Sequence, residues 1–192
     1  MNLARIGMYI ALGAAALLFL FPMYWLAISA FRPQDEIFTS PPQLVPYSLY
    51  FGNFTDLFDT TNFVRAFVNS VIIAIGHCTL ALFLCSLAGY AFAVYPEAPG
   101  RNALFAFVLA TMMVPGVVTL IPVFVILCKL HLVNTYWAMI VPGAAIAFGI
   151  FWMRQATLQS VHRDLVHAAR IDGCTEFGIY WRVALPMLRP AL

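Results

Sequence analysis

His167 and Asp172 stand at H-x4-D spacing. In that arrangement a histidine can act as general base on an acyl acceptor while the aspartate orients it. The chain would then be a membrane-bound acyltransferase, but few residues follow Asp172, which leaves little room for the rest of a catalytic domain. His162 and His167 are five apart and miss the i, i+4 spacing of a zinc-binding HExxH helix. Cys78, Cys85 and Cys128 lie in or beside apolar runs, where cysteine behaves as a small hydrophobe, and neither they nor Cys174 form a CxxC pair. No metal site is expected. No G-x-x-x-x-G-K-[ST] occurs, so the chain is not expected to bind or hydrolyse ATP. His77 falls inside an apolar run. An intramembrane ionisable group is either functional or neutral and hydrogen-bonded.

These residues sit on an unusual background. Of 192 residues 63% are hydrophobic and 9% charged, against about 25% charged in soluble domains. So much apolar surface needs lipid as its solvent. A membrane-spanning helix takes about 20 mostly apolar residues. Four runs qualify, at about 6–30, 66–95, 103–128 and 136–153. Backbone groups in lipid must be satisfied within each segment, so the runs are read as helices. The fold class is an all-α polytopic bundle. The first run is too long for a signal-peptide core. Phe31 to Arg65, with Pro33, Pro41, Pro42 and Pro46, reads as an extended loop carrying a short helix near Asn53–Phe58.

Placing the N-terminus in the cytoplasm puts Arg5, Arg101, Arg154, Arg163, Arg170, Arg182 and Arg189 inside, and only Arg32, Arg65 and Lys129 outside. The positive-inside rule favours that orientation. Pro22, Pro115, Pro122 and Pro142 lie within the apolar runs, where they bend helices, either as ordinary packing or around a moving substrate. Asn69, Ser70, His77, Thr111 and Thr119 either line such a path or bond neighbouring helices.

The cytoplasmic stretch 154–185 is the most informative. Asp164 is placed to cap a short helix, Ala168 and Ala169 favour helix with little bulk, and Gly173 suits the left-handed residue that ends it. Thr175 can cap a second helix, with Glu176 at its positive end. Helix, glycine elbow and helix make a stiff knob suited to docking into a soluble partner.

The pattern Ala168-Ala169-x-x-Asp172-Gly173, followed by Leu185-Pro186 and Pro190, resembles the EAA loop of ABC importer permeases, most closely those of the carbohydrate-uptake type. Asn69-Ser70, Gly89-Tyr90-Ala91-Phe92-Ala93, Pro99-Gly100-Arg101, Leu132-Val133-Asn134-Thr135 and Met153-Arg154-Gln155 agree. The likeness spans nearly all of residues 1–192. It implies a MetI-like ABC transporter type-1 transmembrane domain, lacking the last two helices of that fold, in a bacterial cytoplasmic membrane. It further implies import of a sugar or related small polar solute by alternating access. The implied partners are a second permease subunit, two ATPase subunits that use ATP, and an extracytoplasmic substrate-binding protein. On this likeness His167, Ala168, Ala169, Asp172, Gly173 and Pro186 form the ATPase-coupling loop. His167 stands where the motif has glutamate and His162 where a proline is common. Histidine supplies no negative charge, so restoring glutamate at 167 is expected to maintain or strengthen docking. An ATP-independent carrier is a further alternative, although the inverted repeats and multiple intramembrane charges common in carriers are not evident.

Overall fold

The computed structural model describes residues 3–37, 39, 44, 45 and 48–192; Pro41, Pro42 and Pro46 of the expected loop lie outside them. Among the described residues every regular element is helical. α1 is Leu3–Ser29, α2 Gln34–Ile37, α3 Gly52–Thr60, α4 Phe63–Val94, α5 Arg101–Ala110, α6 Gly116–Lys129, α7 Trp137–Ile140, α8 Ala147–Ser160, α9 Arg163–Ile171, α10 Glu176–Ile179 and α11 Leu185–Leu188. The chain divides into two compact units, with the boundary after Phe67, inside α4.

In the first unit, α1 keeps an apolar surface exposed almost all round, as a lipid-facing helix does. Beyond it, the Asn53 amide on α3 donates to the carbonyls of Ala30 at 3.1 Å and Arg32 at 2.6 Å. Phe31 packs on Phe51 and Phe54.

In the second unit two expected helices prove to be broken. The run 103–128 is not one rod: α5, with the tight 3-10 turn Thr111–Met113, and α6 meet at a bend of 106°. Pro115 lies at the break. It lacks an N–H and pushes Val114 into extended backbone (ψ 116°). The run 136–153 is interrupted as well. α7 ends at Ile140, Gly143 takes φ +77° after Pro142, and α8 begins only at Ala147. By length and composition α1 and α4 can each cross a membrane, and α5 with α6 makes a third crossing if the bent pair is one span. α8, at 14 residues, is about 21 Å long, shorter than a hydrocarbon core of about 30 Å.

Carbonyls freed by a break must find donors when water is excluded. α4 supplies them. The ring Nδ1 of His77 donates to the Ile140 carbonyl at 2.9 Å. The Cys85 thiol reaches the carbonyls of Ala144 at 3.7 Å and Ile146 at 3.6 Å. Close approach needs small residues on this side of α4. A Cβ on Gly76 would lie 2.7 Å from the Ile140 side chain, and one on Gly89 would lie 2.7 Å from the Arg154 backbone nitrogen. Small residues let membrane helices pack this tightly.

The core is concentrated at one end of this unit. It joins Cys85 and Tyr90 of α4, Ile150 and Met153 of α8, Val166 and Ala169 of α9, and Ile179, Tyr180, Ala184 and Leu188 beyond the elbow. From Glu176 to Leu188 the chain is one helical run with a wide π turn at Tyr180–Ala184. That turn ends two residues before Pro186. A proline ring clashes with the carbonyl four residues earlier, and the added width relieves the clash. Buried Tyr180 and Ser86 share a hydrogen bond of 2.8 Å, while Ser86 also donates to the Phe83 carbonyl at 3.1 Å.

Candidate functional site

α9 is amphipathic for a local reason. Val166 and Ala169, three apart, are buried at 2% and 8% exposure and anchor the helix to the core, whereas Ala168 faces outward. The two alanines of the motif therefore do different work. The N-cap is His162, in extended backbone, with no side-chain cap bond. Asp164 sits in the first turn instead of at the cap expected from the sequence, where its charge still faces the positive helix end.

The end of α9 closes as a Schellman motif. Gly173, at φ +80°, donates its N–H to the Arg170 carbonyl at 3.0 Å, and Cys174 donates to the Ala169 carbonyl at 3.0 Å. Asp172 is the C-cap. Thr175 then starts α10, its hydroxyl accepting from the Gly178 N–H at 3.1 Å. Helix, left-handed glycine and capped helix form the expected elbow.

A polar cluster that sequence reading did not find ties the elbow to α4. Arg170 donates through Nε to Glu176 Oε1 at 2.7 Å and through a terminal nitrogen to Oε2 at 3.2 Å. The Tyr95 hydroxyl donates to the same carboxylate, and the Arg170 guanidinium lies over the Tyr95 ring at 5.5 Å. Arg170, and next Tyr95, hold the Glu176 carboxyl below its ordinary range. Tyr95 follows the end of α4, Arg170 is in α9 and Glu176 opens α10, with a turn between the last two, so no helical spacing signals the pairing.

His167 is exposed. It lines a groove of about 480 Å³ between α9 and the Pro96-Glu97-Ala98 turn, with Arg163 and Arg170 on the same wall. Five residues at 100° each put His167 and Asp172 about 140° apart around the axis, so Asp172 is not set to orient the ring as a catalytic dyad requires. Pro186 lies in α11, ten helical positions beyond Glu176. It belongs to the helix that carries the elbow, not to the elbow itself. Of the candidates for a path, Asn69 accepts from the Tyr136 hydroxyl at 2.8 Å and His77 caps the broken fourth segment. Thr111 bonds back to Val108 of its own helix at 2.6 Å. Each of the three thus has a bond partner of its own, two across helices and one within a helix.

The family profile described as "Binding-protein-dependent transport system inner membrane component" matches residues 85–192, which include α8, the elbow and most of the core. The chain is 36% identical over 190 residues to the arabinooligosaccharides transport system permease protein AraQ of Bacillus subtilis, covering 97% of this chain and 67% of that protein. It is 32% identical over 188 residues to the lactose transport system permease protein LacG of Rhizobium radiobacter, covering 98% and 67%. Among solved structures it is similar to a bacterial ABC transporter involved in the import of the acidic polysaccharide alginate, with a TM-score of 0.81 at 24% identity, covering 97% of this chain and 65% of that one. The chain thus spans about two thirds of the length of the proteins it matches. Neither the acyltransferase reading nor the ATP-independent carrier finds support in these similarities. This chain belongs to the family of inner-membrane components of binding-protein-dependent transport systems.

Proposed function

We propose that this chain is a permease subunit of an ATP-driven ABC importer, that it moves a sugar or related small polar solute across a bacterial cytoplasmic membrane, and that its N-terminus is cytoplasmic. The observation that carries the reading is the elbow at Gly173: a capped helical knob, exposed on its outer side and held on the inner side by Val166, Ala169 and the Arg170–Glu176–Tyr95 cluster. Such a knob transmits force without absorbing it. The partners are a second permease subunit, two ATPase subunits, one of them seated on this elbow, and an extracytoplasmic binding protein, with ATP consumed by the ATPases. His167, Ala168, Asp172 and Gly173 present the docking surface, Ala169 anchors it, and Pro186 shapes the helix behind it. The names of the similar permeases favour a sugar or oligosaccharide as solute, and the excess of arginine on the elbow side favours the orientation.

Reconstitution of the chain with its second permease and ATPase subunits tests the reading. Uptake of labelled oligosaccharide into proteoliposomes should require both ATP and the binding protein. Uptake that persists without the ATPases, or an assembled chain that retains no ATPase on purification, would refute it.

A further inference from the structure

The outer surface of α9 is divided by charge. Taking the buried side at Val166 and Ala169 as reference and counting 100° per residue, Arg163 and His167 fall on one shoulder, Ile171 on the crest opposite the core, and Ala168 and Asp172 on the other shoulder. Ile171 is 86% exposed, an unusual state for a large aliphatic side chain outside the apolar runs. The shoulder bearing Arg163 and His167 forms one wall of the 480 Å³ groove, whose only carboxylate lining is Glu97. Arg170, on the same wall, is already paired with Glu176. Arg163 and His167 face the groove, and among the described residues no acid pairs with either.

We propose that this shoulder selects the soluble partner by charge: the cleft receiving α9 has an apolar pocket for Ile171 and a carboxylate on the wall that meets Arg163 and His167. The inference rests on the coupling reading above and specifies its chemistry. It reverses the expectation drawn from the resemblance. A glutamate at 167 would stand four residues from Arg163 and across the groove from Glu97. It would neutralise the first and repel an incoming acid in concert with the second. A bilayer surface is a poorer occupant, because Asp164 on the crest and Asp172 on the far shoulder would meet anionic headgroups.

The test uses the assembled permease pair in nanodiscs, with ATPase subunits titrated back onto wild type, Arg163→Glu, His167→Glu and His167→Gln at low and high salt. Each glutamate variant should bind the ATPase roughly fivefold more weakly at low salt, and glutamine less so, with the differences shrinking at high salt. Changing the opposing cleft acid of the ATPase to lysine should recover the glutamate variants. Wild-type binding with both glutamate variants unaffected would overturn the acidic-wall inference while leaving the coupling reading intact. A wild-type pair that binds no ATPase would overturn both. Weakened binding to vesicles containing phosphatidylglycerol, with ATPase affinity unchanged, would assign the shoulder to the bilayer and overturn the proposal.

Discussion

Adding a single methyl group at Gly89 should loosen the contact that carries α8 and, with it, α9. A Cβ built there lies 2.7 Å from the Arg154 nitrogen, 2.7 Å from the Met153 Cβ and 2.8 Å from the Met153 carbonyl carbon. Two of those atoms are backbone and cannot rotate away. Ordinary contact begins at 3.4 Å, so α4 and α8 must part locally by about 0.7 Å, enough to forfeit a quarter to a half of each pairwise attraction at the crossing. Overpacking of this kind costs about 1–3 kcal/mol. In a bilayer no hydrophobic force between helices makes up the loss. Gly149 supplies the control. A Cβ there meets the Cys85 sulfur at 2.8 Å, a side-chain atom that can be deleted. Gly149→Ala should therefore destabilise alone and recover in part when combined with Cys85→Ala, whereas Gly89→Ala should have no such rescue. Thermal unfolding of the assembled complex in detergent measures the stability, and substrate-stimulated ATPase turnover measures coupling. An unchanged melting temperature for Gly89→Ala, or equal rescue of both glycine variants by Cys85→Ala, would refute the reasoning.

The elbow gives three further tests. Gly173 has positive φ and open space around it, so Gly173→Asn should be tolerated while Gly173→Val costs about 1–2 kcal/mol from backbone strain alone; transport should fall for valine with membrane insertion intact, as read by uptake and by the amount of inserted protein. Glu176→Gln should weaken the tie to Tyr95 and Arg170 by about 0.5 kcal/mol, because the pair is partly exposed, and hydrogen exchange over residues 170–179 should rise. Since the folded Glu176 pKa lies below the unfolded one, its stabilisation is complete above about pH 4.3 and is lost as the pH falls through the depressed folded value; protection relative to the intrinsic exchange rate should fall through that window in wild type and not in Glu176→Gln. Cys174 is exposed and Cys85 buried, so with Cys78 and Cys128 replaced by alanine, an impermeant maleimide should label Cys174 in inside-out vesicles and not in intact cells, and the opposite pattern would reverse the orientation.

Local rules reached the elbow and missed what fixes it. Gly173 and Thr175 were legible because a left-handed glycine and an N-cap are satisfied within a few residues. The Tyr95–Glu176 bond spans 81 positions, and the glycine contacts on α4 depend on which face meets α8; neither leaves a periodic mark. The hydrophobic runs were visible, but their continuity was not. Pro22 is accommodated within α1 and Pro122 within α6, whereas Pro115 and Pro142 stand at breaks. What separates them is the surroundings: at Pro142 a positive-φ glycine follows and His77 and Cys85 wait on α4 to take the freed carbonyls. The same dependence explains why His77, a candidate for the path, bonds the Ile140 carbonyl.

Rigid and breakable parts are segregated along this half of the chain, and that division bears on how a stroke would travel. The buried core, the Schellman turn, the Ser86–Tyr180 bond and the Glu176 cluster all gather where α4, α8, α9 and the run from Glu176 to Leu188 meet. The interruptions at Val114–Pro115 and at Pro142–Gly143 lie outside that block. Packed cores move as units, while backbone breaks absorb φ/ψ change. A push on the elbow would therefore carry α8 with the block and be taken up where α8 begins, next to Gly143. The carbonyls there are held by one imidazole and one thiol, contacts that can be exchanged at lower cost than a helical ladder. A movement of this kind would turn at Pro142 and Gly143, beside His77 and at the edge of the block to which Cys85 belongs, with the α4–α8 contact at Gly89 moving as part of that block.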